Sequence, residues 1–146
     1  MEFSTNQVVD MVFRVLILLF SVVIHEVSHG AMAYALGDTT AKDEGRLTLN
    51  PIPHIDFFGS IIFPLLVGFG WAKPVPYNPF RLRNPRWGSL MVGAAGPLSN
   101  VLVAVFFGLL LRFHGVSFLA ALDPTFFIIV EGIVILNIGL ALFNLL

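Results

Sequence analysis

Residues 15–36 read VLILLFSVVIHEVSHGAMAYAL and place three ionisable side chains, His25, Glu26 and His29, within an apolar sequence. The whole apolar run extends from Val8 to Leu36 and is followed by a glycine, which is a typical helix stop. At about 1.5 Å per residue, a helix of this length exceeds the ~30 Å of a membrane's hydrocarbon layer. The run therefore predicts a membrane-spanning helix that carries a polar cluster.

The composition of the 146-residue chain supports a membrane setting. Hydrophobic residues make up 57% of it and charged residues 12%, whereas soluble domains average about 25% charged residues. Too little polar surface remains to cover a water-soluble globule, so we expect a lipid-facing exterior. The net charge of -1 excludes an electrostatic footprint for nucleic acid. The absence of cysteine excludes disulfides and thiolate zinc sites.

Two further apolar runs are long enough to cross a membrane, from about Ser89 to Phe113 and from Thr125 to Leu146. A shorter run, Phe57 to Gly70, is interrupted by a proline and a glycine and falls short of the ~20 residues that a crossing needs. Such a segment suits a re-entrant element, and a fourth crossing is the alternative. We therefore expect one all-α membrane-embedded domain over residues 1–146, with three transmembrane helices plus a re-entrant or fourth segment.

The basic residues predict the orientation in the membrane. Six of the eight lie between the first and second long runs: Lys42, Arg46, Lys73, Arg81, Arg83 and Arg86. If Phe57 to Gly70 does not cross, all six share one face, which the positive-inside rule makes cytoplasmic. On that face the alternation of apolar and polar residues in Gly45 to Asn50 favours a small extended or β element. We expect a multi-pass protein of the cell membrane.

The polar cluster in the first run has the spacing of a metal site. His25 and His29 are four residues apart, so a helix places both imidazoles on one face, where they can bind one ion. With Glu26 they form the H-E-x-x-H pattern of zinc hydrolases, in which the glutamate is the general base. Ionisable groups in a membrane helix are costly and usually functional. We predict Zn2+ bound by the two histidines and a catalytic Glu26, with a hydrogen-bonded helix-pairing patch as the alternative.

Several motifs together resemble one known family. They are His25-Glu26-Val27-Ser28-His29-Gly30, the stretch GRLTLNP at 45–51 with HID at 54–56, GWAKPVP at 70–76, AGPLSN at 95–100 and FNLL at 143–146. In combination they resemble the site-2 protease family of intramembrane zinc metalloproteases. The resemblance implies zinc-dependent cleavage of transmembrane protein substrates within or beside their helices, near the cytoplasmic face of the lipid bilayer.

A third zinc ligand is expected, because catalytic zinc sites usually have three protein ligands. In the site-2 protease family it is an Asp of an Asp-Gly motif that follows shortly after the Asn-Leu-Leu ending here at Leu146, so we expect the family core to continue beyond this residue. Substitute ligands within the chain would come from four residues: His54, Asp56, Asp43 and Glu44. The resemblance brings His54 near the site, and the alternative is a hydrogen bond to a loop carbonyl or a place in the cavity lining.

Amide side chains in the later runs are further candidates. The resemblance implies that Asn100 holds the substrate backbone or the developing oxyanion, and Asn144 is a second site-lining candidate. Hydrogen bonding between helices is the alternative for both, and Asn137 has the same ambiguity. We expect His114 and Glu131 near the outer interface, where Glu131 snorkels or pairs helices.

Two other classes of function fit the same residues. A membrane metal carrier would also bury histidines, but it has no need of a glutamate next to the first of them. A catalytically inactive relative or fragment would act as a membrane-helix or metal-binding module. Zinc content and cleavage of a labelled transmembrane peptide would separate these classes.

Overall fold

The chain forms long helices joined by irregular segments in a computed structural model that describes residues 5–56, 58, 62, 72–113 and 124–145. The α-helices are α1 (Thr5–Ala35), α2 (Thr40–Asp43), α3 (Pro85–Arg112) and α4 (Pro124–Leu145). Among the described residues between α2 and α3 are two single-turn 3-10 helices, Ile52–His54 and Pro79–Arg81.

Three of these helices are long and apolar enough to cross a membrane. The apolar stretches are Met11–Ala35, Pro85–Arg112 and Thr125–Leu145, with 25, 28 and 21 residues. Their length and composition confirm the prediction of an all-α chain with three membrane-capable helices. The proposed re-entrant run, Phe57 to Gly70, lies outside the described residues apart from positions 58 and 62.

Local sequence signals set the helix ends. Gly37 follows α1 with a φ of 108°, a left-handed conformation that costs glycine little. The N–H of Asp38 then donates to the carbonyl of Ala33 at 3.0 Å, which completes a Schellman-type end. At the start of α3, the side chain of Asn84 accepts a hydrogen bond from the N–H of Trp87 at 3.2 Å. Pro85 occupies the first helical position, where its missing N–H has no cost.

The expected β element at Gly45 to Asn50 is not seen, and the described residues contain no strand. This stretch bends instead, because its polar side chains bond to nearby backbone. The hydroxyl of Thr48 accepts from the N–H of Asn50 at 3.1 Å. The side chain of Asn50 in turn accepts from the N–H of Ile52 at 3.1 Å. Local bonds of this kind compete with strand pairing.

The residues fall into two compact units, Val22–Gly96 and a second made of Met1–Ser21 with Pro97–Leu146. A single domain over 1–146 therefore stays a prediction. The second unit contains a buried chain of polar side chains: Asn100 donates to Asn137 at 3.1 Å, and Asn137 donates to the hydroxyl of Ser21 at 2.9 Å. Since membrane lipid cannot replace these bonds, they hold three helical segments of this unit together.

In the unit Val22–Gly96, a buried carboxylate joins the end of α1 to distant backbone. Asp38 has no exposed surface. It accepts from the N–H and the hydroxyl of Thr40 at 3.1 and 2.5 Å, and from the N–H of Asn78 at 2.6 Å. Burial raises the pKa of Asp38, but the hydrogen bonds from Thr40 and Asn78 outweigh it and leave the pKa below the ordinary 3.8.

Replacing Asp38 by asparagine tests this junction. We expect Asp38→Asn to lower the free energy of unfolding at neutral pH by about 1–3 kcal/mol, because the new amide turns an N–H2 group toward buried donors. The carboxylate's contribution is present above the ordinary pKa of 3.8 and is lost as the pH falls through the lower folded-state pKa. The difference between variant and parent should therefore shrink in strong acid, as measured by thermal unfolding in detergent.

Asp43→Asn is the matched control for this prediction. Asp43 is exposed and accepts from the hydroxyl of Thr39 at 2.7 Å. Its replacement should change the free energy of unfolding by less than about 0.5 kcal/mol. Equal effects of the two substitutions at neutral pH would contradict the role of Asp38.

Candidate metal centre

The two histidines of α1 converge on one point. One helical turn separates them, and their Nε2 atoms lie 3.0 Å apart. A zinc ion with bonds of about 2.0–2.1 Å in tetrahedral geometry places its ligand atoms roughly 3.3 Å apart. His25 is 6% exposed and His29 is partly buried. The pair therefore needs only a small outward movement to bind one ion.

The tautomer of His29 suits metal binding. Its Nδ1 lies 2.6 Å from the backbone carbonyl oxygen of Val92, in α3. A carbonyl can only accept, so Nδ1 carries the proton and donates. In the neutral tautomer with its proton on Nδ1, Nε2 is unprotonated, and this atom lies 3.0 Å from Nε2 of His25. Metal-bound histidines commonly donate their other ring nitrogen to a carbonyl in this way.

Gly96 borders the space between the histidines. A Cβ added to this residue would overlap Nε2 of His29 and lie 2.6 Å from Nε2 of His25. A side chain here would thus fill the region that both ring nitrogens face. Glycine keeps that region open, and the donor set together with the open region fits a zinc ion.

The carboxylate of Glu26 is held by distant backbone. Its Oε2 accepts a hydrogen bond from the N–H of Val75 at 2.9 Å. Gly30, the last residue of the motif, allows this approach, because a Cβ there would lie 2.7 Å from Cγ1 of Val75 and 2.8 Å from Cδ2 of Leu47. The bond orients one oxygen of the half-buried carboxylate.

His54 forms a hydrogen bond to a loop carbonyl, which was the alternative prediction for this residue. It is 1% exposed, and its Nε2 donates to the carbonyl of Thr48 at 3.0 Å. Its own carbonyl accepts from the N–H of Lys73 at 2.9 Å. In the part of the chain that the structure describes, no group of three His, Cys, Asp or Glu side chains could hold a metal ion. The other substitute ligands considered, Asp43, Glu44 and Asp56, therefore complete no such group there.

The remaining candidates have contacts of their own. Asn100 belongs to the buried network with Asn137 and Ser21. Asn144 is exposed and donates to the carbonyl of Leu140 at 2.8 Å. Glu131 is exposed on α4. His114 lies outside the described residues.

Sequence reasoning missed two contributors to the site, Val92 and Val75. Both act through the backbone, 63 and 49 residues from the side chains they contact. No property of a valine side chain signals such a role. The sequence does carry a signal for Gly96, because Gly93, Ala94 and Gly96 are small residues, which permit a close approach of helices.

Two curated proteins are similar to this chain. The "Putative zinc metalloprotease YwhC" of Bacillus subtilis (strain 168) is 44% identical over 143 residues, which cover 93% of this chain and 63% of that protein. The "Putative zinc metalloprotease Rip2" of Mycolicibacterium smegmatis is 32% identical over 91 residues, covering 60% of this chain and 35% of that protein. The chain thus spans less than two thirds of the length of either relative. Neither a family model nor a solved structure matches it.

Substitutions of two glycines in α3 test the metal centre. We expect Gly96→Ala to weaken zinc binding by about 10- to 100-fold, because the new Cβ would occupy the region that both ring nitrogens face and displace them, at a cost of about 1–3 kcal/mol. Alanine favours helix, so α3 itself should persist. Competition with a chromophoric chelator measures the affinity of the purified protein.

Gly93→Ala is the matched control, since a Cβ at Gly93 meets no atom within 4 Å. Its zinc affinity should equal that of the parent. Equal affinity in the Gly96 and Gly93 variants would show that the metal binds elsewhere.

Proposed function

Because this chain is a homologue of site-2 protease-type zinc metalloproteases, we propose that it forms the catalytic core of an intramembrane endopeptidase. Its substrates would be transmembrane proteins, cleaved within or beside their helices. The observation that carries the proposal is the convergence of His25 and His29 at 3.0 Å in a membrane-capable helix, with Glu26 between them in sequence.

In this proposal His25 and His29 bind Zn2+ through Nε2, and the hydrogen bond to Val92 keeps the ring of His29 in place. When bound, zinc lowers the pKa of water and polarises a substrate carbonyl. Glu26 accepts a proton from the attacking water and passes it to the leaving amine. The N–H of Val75 holds one carboxylate oxygen, which leaves the other oxygen of Glu26 to take the proton.

A third metal ligand would come from outside the described residues. The resemblance suggests an Asp that follows Leu146 in the complete protein, so the tests below use that protein. The same resemblance supports site-lining roles for His54, Asn100 and Asn144. For Asn100, the role is to hold the substrate backbone or the developing oxyanion.

The proposed site lies toward the cytoplasm of a multi-pass protein in the cell membrane. Five basic residues between α1 and α3, together with Arg86 in the first turn of α3, support this orientation through the positive-inside rule. Phe57 to Gly70 would dip into the bilayer and return. An extended segment on the cytoplasmic side would pair with locally unwound substrate, because a helix hides its peptide bonds.

Replacing the base separates chemistry from metal binding. We expect Glu26→Gln to lower cleavage of a labelled transmembrane peptide by at least about 100-fold, because the amide cannot accept the proton. Zinc content should match the parent, since both histidines remain. Near-normal cleavage by this variant would contradict the proposed function.

Replacing either ligand has a different expected result. His25→Ala or His29→Ala should lose zinc as well as cleavage, which elemental analysis of the purified variants would show. Zinc binding with no cleavage by the parent protein would instead indicate a metal-binding module or an inactive relative.

Cysteine labelling tests the orientation, since the chain has no native cysteine. Leu49 and Phe80 are 60% and 91% exposed and lie on either side of the short apolar run. We expect an impermeant thiol reagent to label neither Leu49→Cys nor Phe80→Cys in intact cells, and to label both after permeabilisation. External labelling at position 80 alone would show that Phe57 to Gly70 crosses.

A further inference from the structure

Arg46 is a buried cation whose side-chain hydrogen bonds to described residues all go to backbone carbonyls. It is 4% exposed. One terminal nitrogen of its guanidinium donates to the carbonyl of Pro53. The other donates to the carbonyls of Lys73 and Pro74 at 2.7 and 3.0 Å. The side chain thus joins three stretches of irregular chain in the unit Val22–Gly96.

Burial of this charge opposes folding, so a contribution to stability does not by itself account for the arrangement. Burying a charge costs several kcal/mol unless a counter-charge or good hydrogen bonds compensate. The acceptors of Arg46 are neutral carbonyls, and its Nε is buried without a partner in the described part of the chain. A planar fork with several donors can fix several carbonyls in defined directions, which a lysine cannot do.

The carbonyl of Pro74 and the N–H of Val75 belong to the same peptide group. The described residues contain no cis peptide bond, so this carbonyl and this N–H point in opposite directions from one rigid plane. Arg46 holds the oxygen at 3.0 Å, and the carboxylate of Glu26 holds the N–H at 2.9 Å. The peptide is therefore clamped between the buried cation and the carboxylate.

Packing reinforces the clamp. Leu47, the neighbour of Arg46, and Val75 both approach Gly30 so closely that a Cβ would lie within 2.8 Å of each. The N–H of Arg46 donates to the carbonyl of Ala41 at 2.8 Å. Leu47 and Val75 thus rest against α1 at Gly30, the residue that follows His29.

We propose that Arg46 is a positioning residue for Glu26. By fixing the plane of the Pro74–Val75 peptide, Arg46 aims the N–H of Val75 at one carboxylate oxygen and sets the orientation of the other. The carbonyl bonds also polarise the peptide, which strengthens its N–H as a donor. This inference rests on the proposed function for its effect on catalysis, but the clamp itself is measurable without cleavage.

Amide hydrogen exchange at Val75 in the zinc-loaded complete protein tests the clamp directly. Arg46→Gln and Arg46→Lys should each speed this exchange by about tenfold or more, the change that losing about 1.4 kcal/mol produces. Glu26→Ala should do the same, because it removes the acceptor. Arg86→Gln is the matched control: Arg86 is exposed in the first turn of α3, and exchange at Val75 should not change.

Cleavage provides the second measurement. Arg46→Gln should lower kcat by about 10- to 100-fold, with KM within about twofold and zinc content equal to the parent. Arg46→Lys should recover part of the loss at most. Loss of zinc, or a rise in KM with kcat unchanged, would assign Arg46 a different role and overturn the proposal.

The experiments distinguish failure of the proposed function from failure of the clamp. A parent protein that cleaves nothing would refute the proposed function and leave the exchange result to decide the clamp. Unchanged exchange at Val75 in Arg46→Gln would refute the clamp even if cleavage fell. If Arg46→Gln is not recovered folded, exchange in Arg46→Lys decides by the same criterion.

Discussion

The hydrogen bond from Nδ1 of His29 to the carbonyl of Val92 is the contact on which the geometry of the candidate metal centre depends. It joins α1 to α3 within one unit and places the ring proton away from His25. With that proton on Nδ1, the unprotonated Nε2 faces the other histidine across 3.0 Å. In an apolar setting the ring N–H of His29 would otherwise have no hydrogen-bond partner, which is energetically costly. The carbonyl of Val92 supplies that partner and thereby sets the tautomer and the orientation of the ring.

Buried side chains take the place of secondary structure in the irregular region between α1 and α3. Asp38 gathers backbone and side-chain donors, while Arg46 and His54 donate to backbone carbonyls. Their partners lie as far apart as residues 40 and 78. Buried backbone groups need hydrogen-bond partners. Here these side chains are the partners, whereas in a β-sheet the backbone of the neighbouring strand is. This explains how a segment without a described strand can hold Val75 against α1.

The sequence predicts features that depend on a repeating pattern or on residues close together along the chain. Apolar runs identify the three membrane-capable helices, and the spacing of His25 and His29 places both rings on one face. It does not predict the contacts of Val75 and Val92, because a backbone N–H or carbonyl is present at every such position. The β element expected at Gly45 to Asn50 was not seen, because alternation says nothing about the polar side chains that bond locally.

The bond between Ser21 and Asn137 has a consequence for biosynthesis. The two residues are 116 positions apart, so a ribosome adding about 5–20 residues per second needs roughly 6–23 s to make the second after the first. During that interval α1 is in the membrane without Asn137. The hydroxyl of Ser21 can then bond only to the backbone of α1 or to transient neighbours. The hydrogen bonds of the second unit are therefore completed only after α4 has been made. Any factor that delays α4 prolongs the time for which α1, without this partner, is exposed to lipid and to quality control.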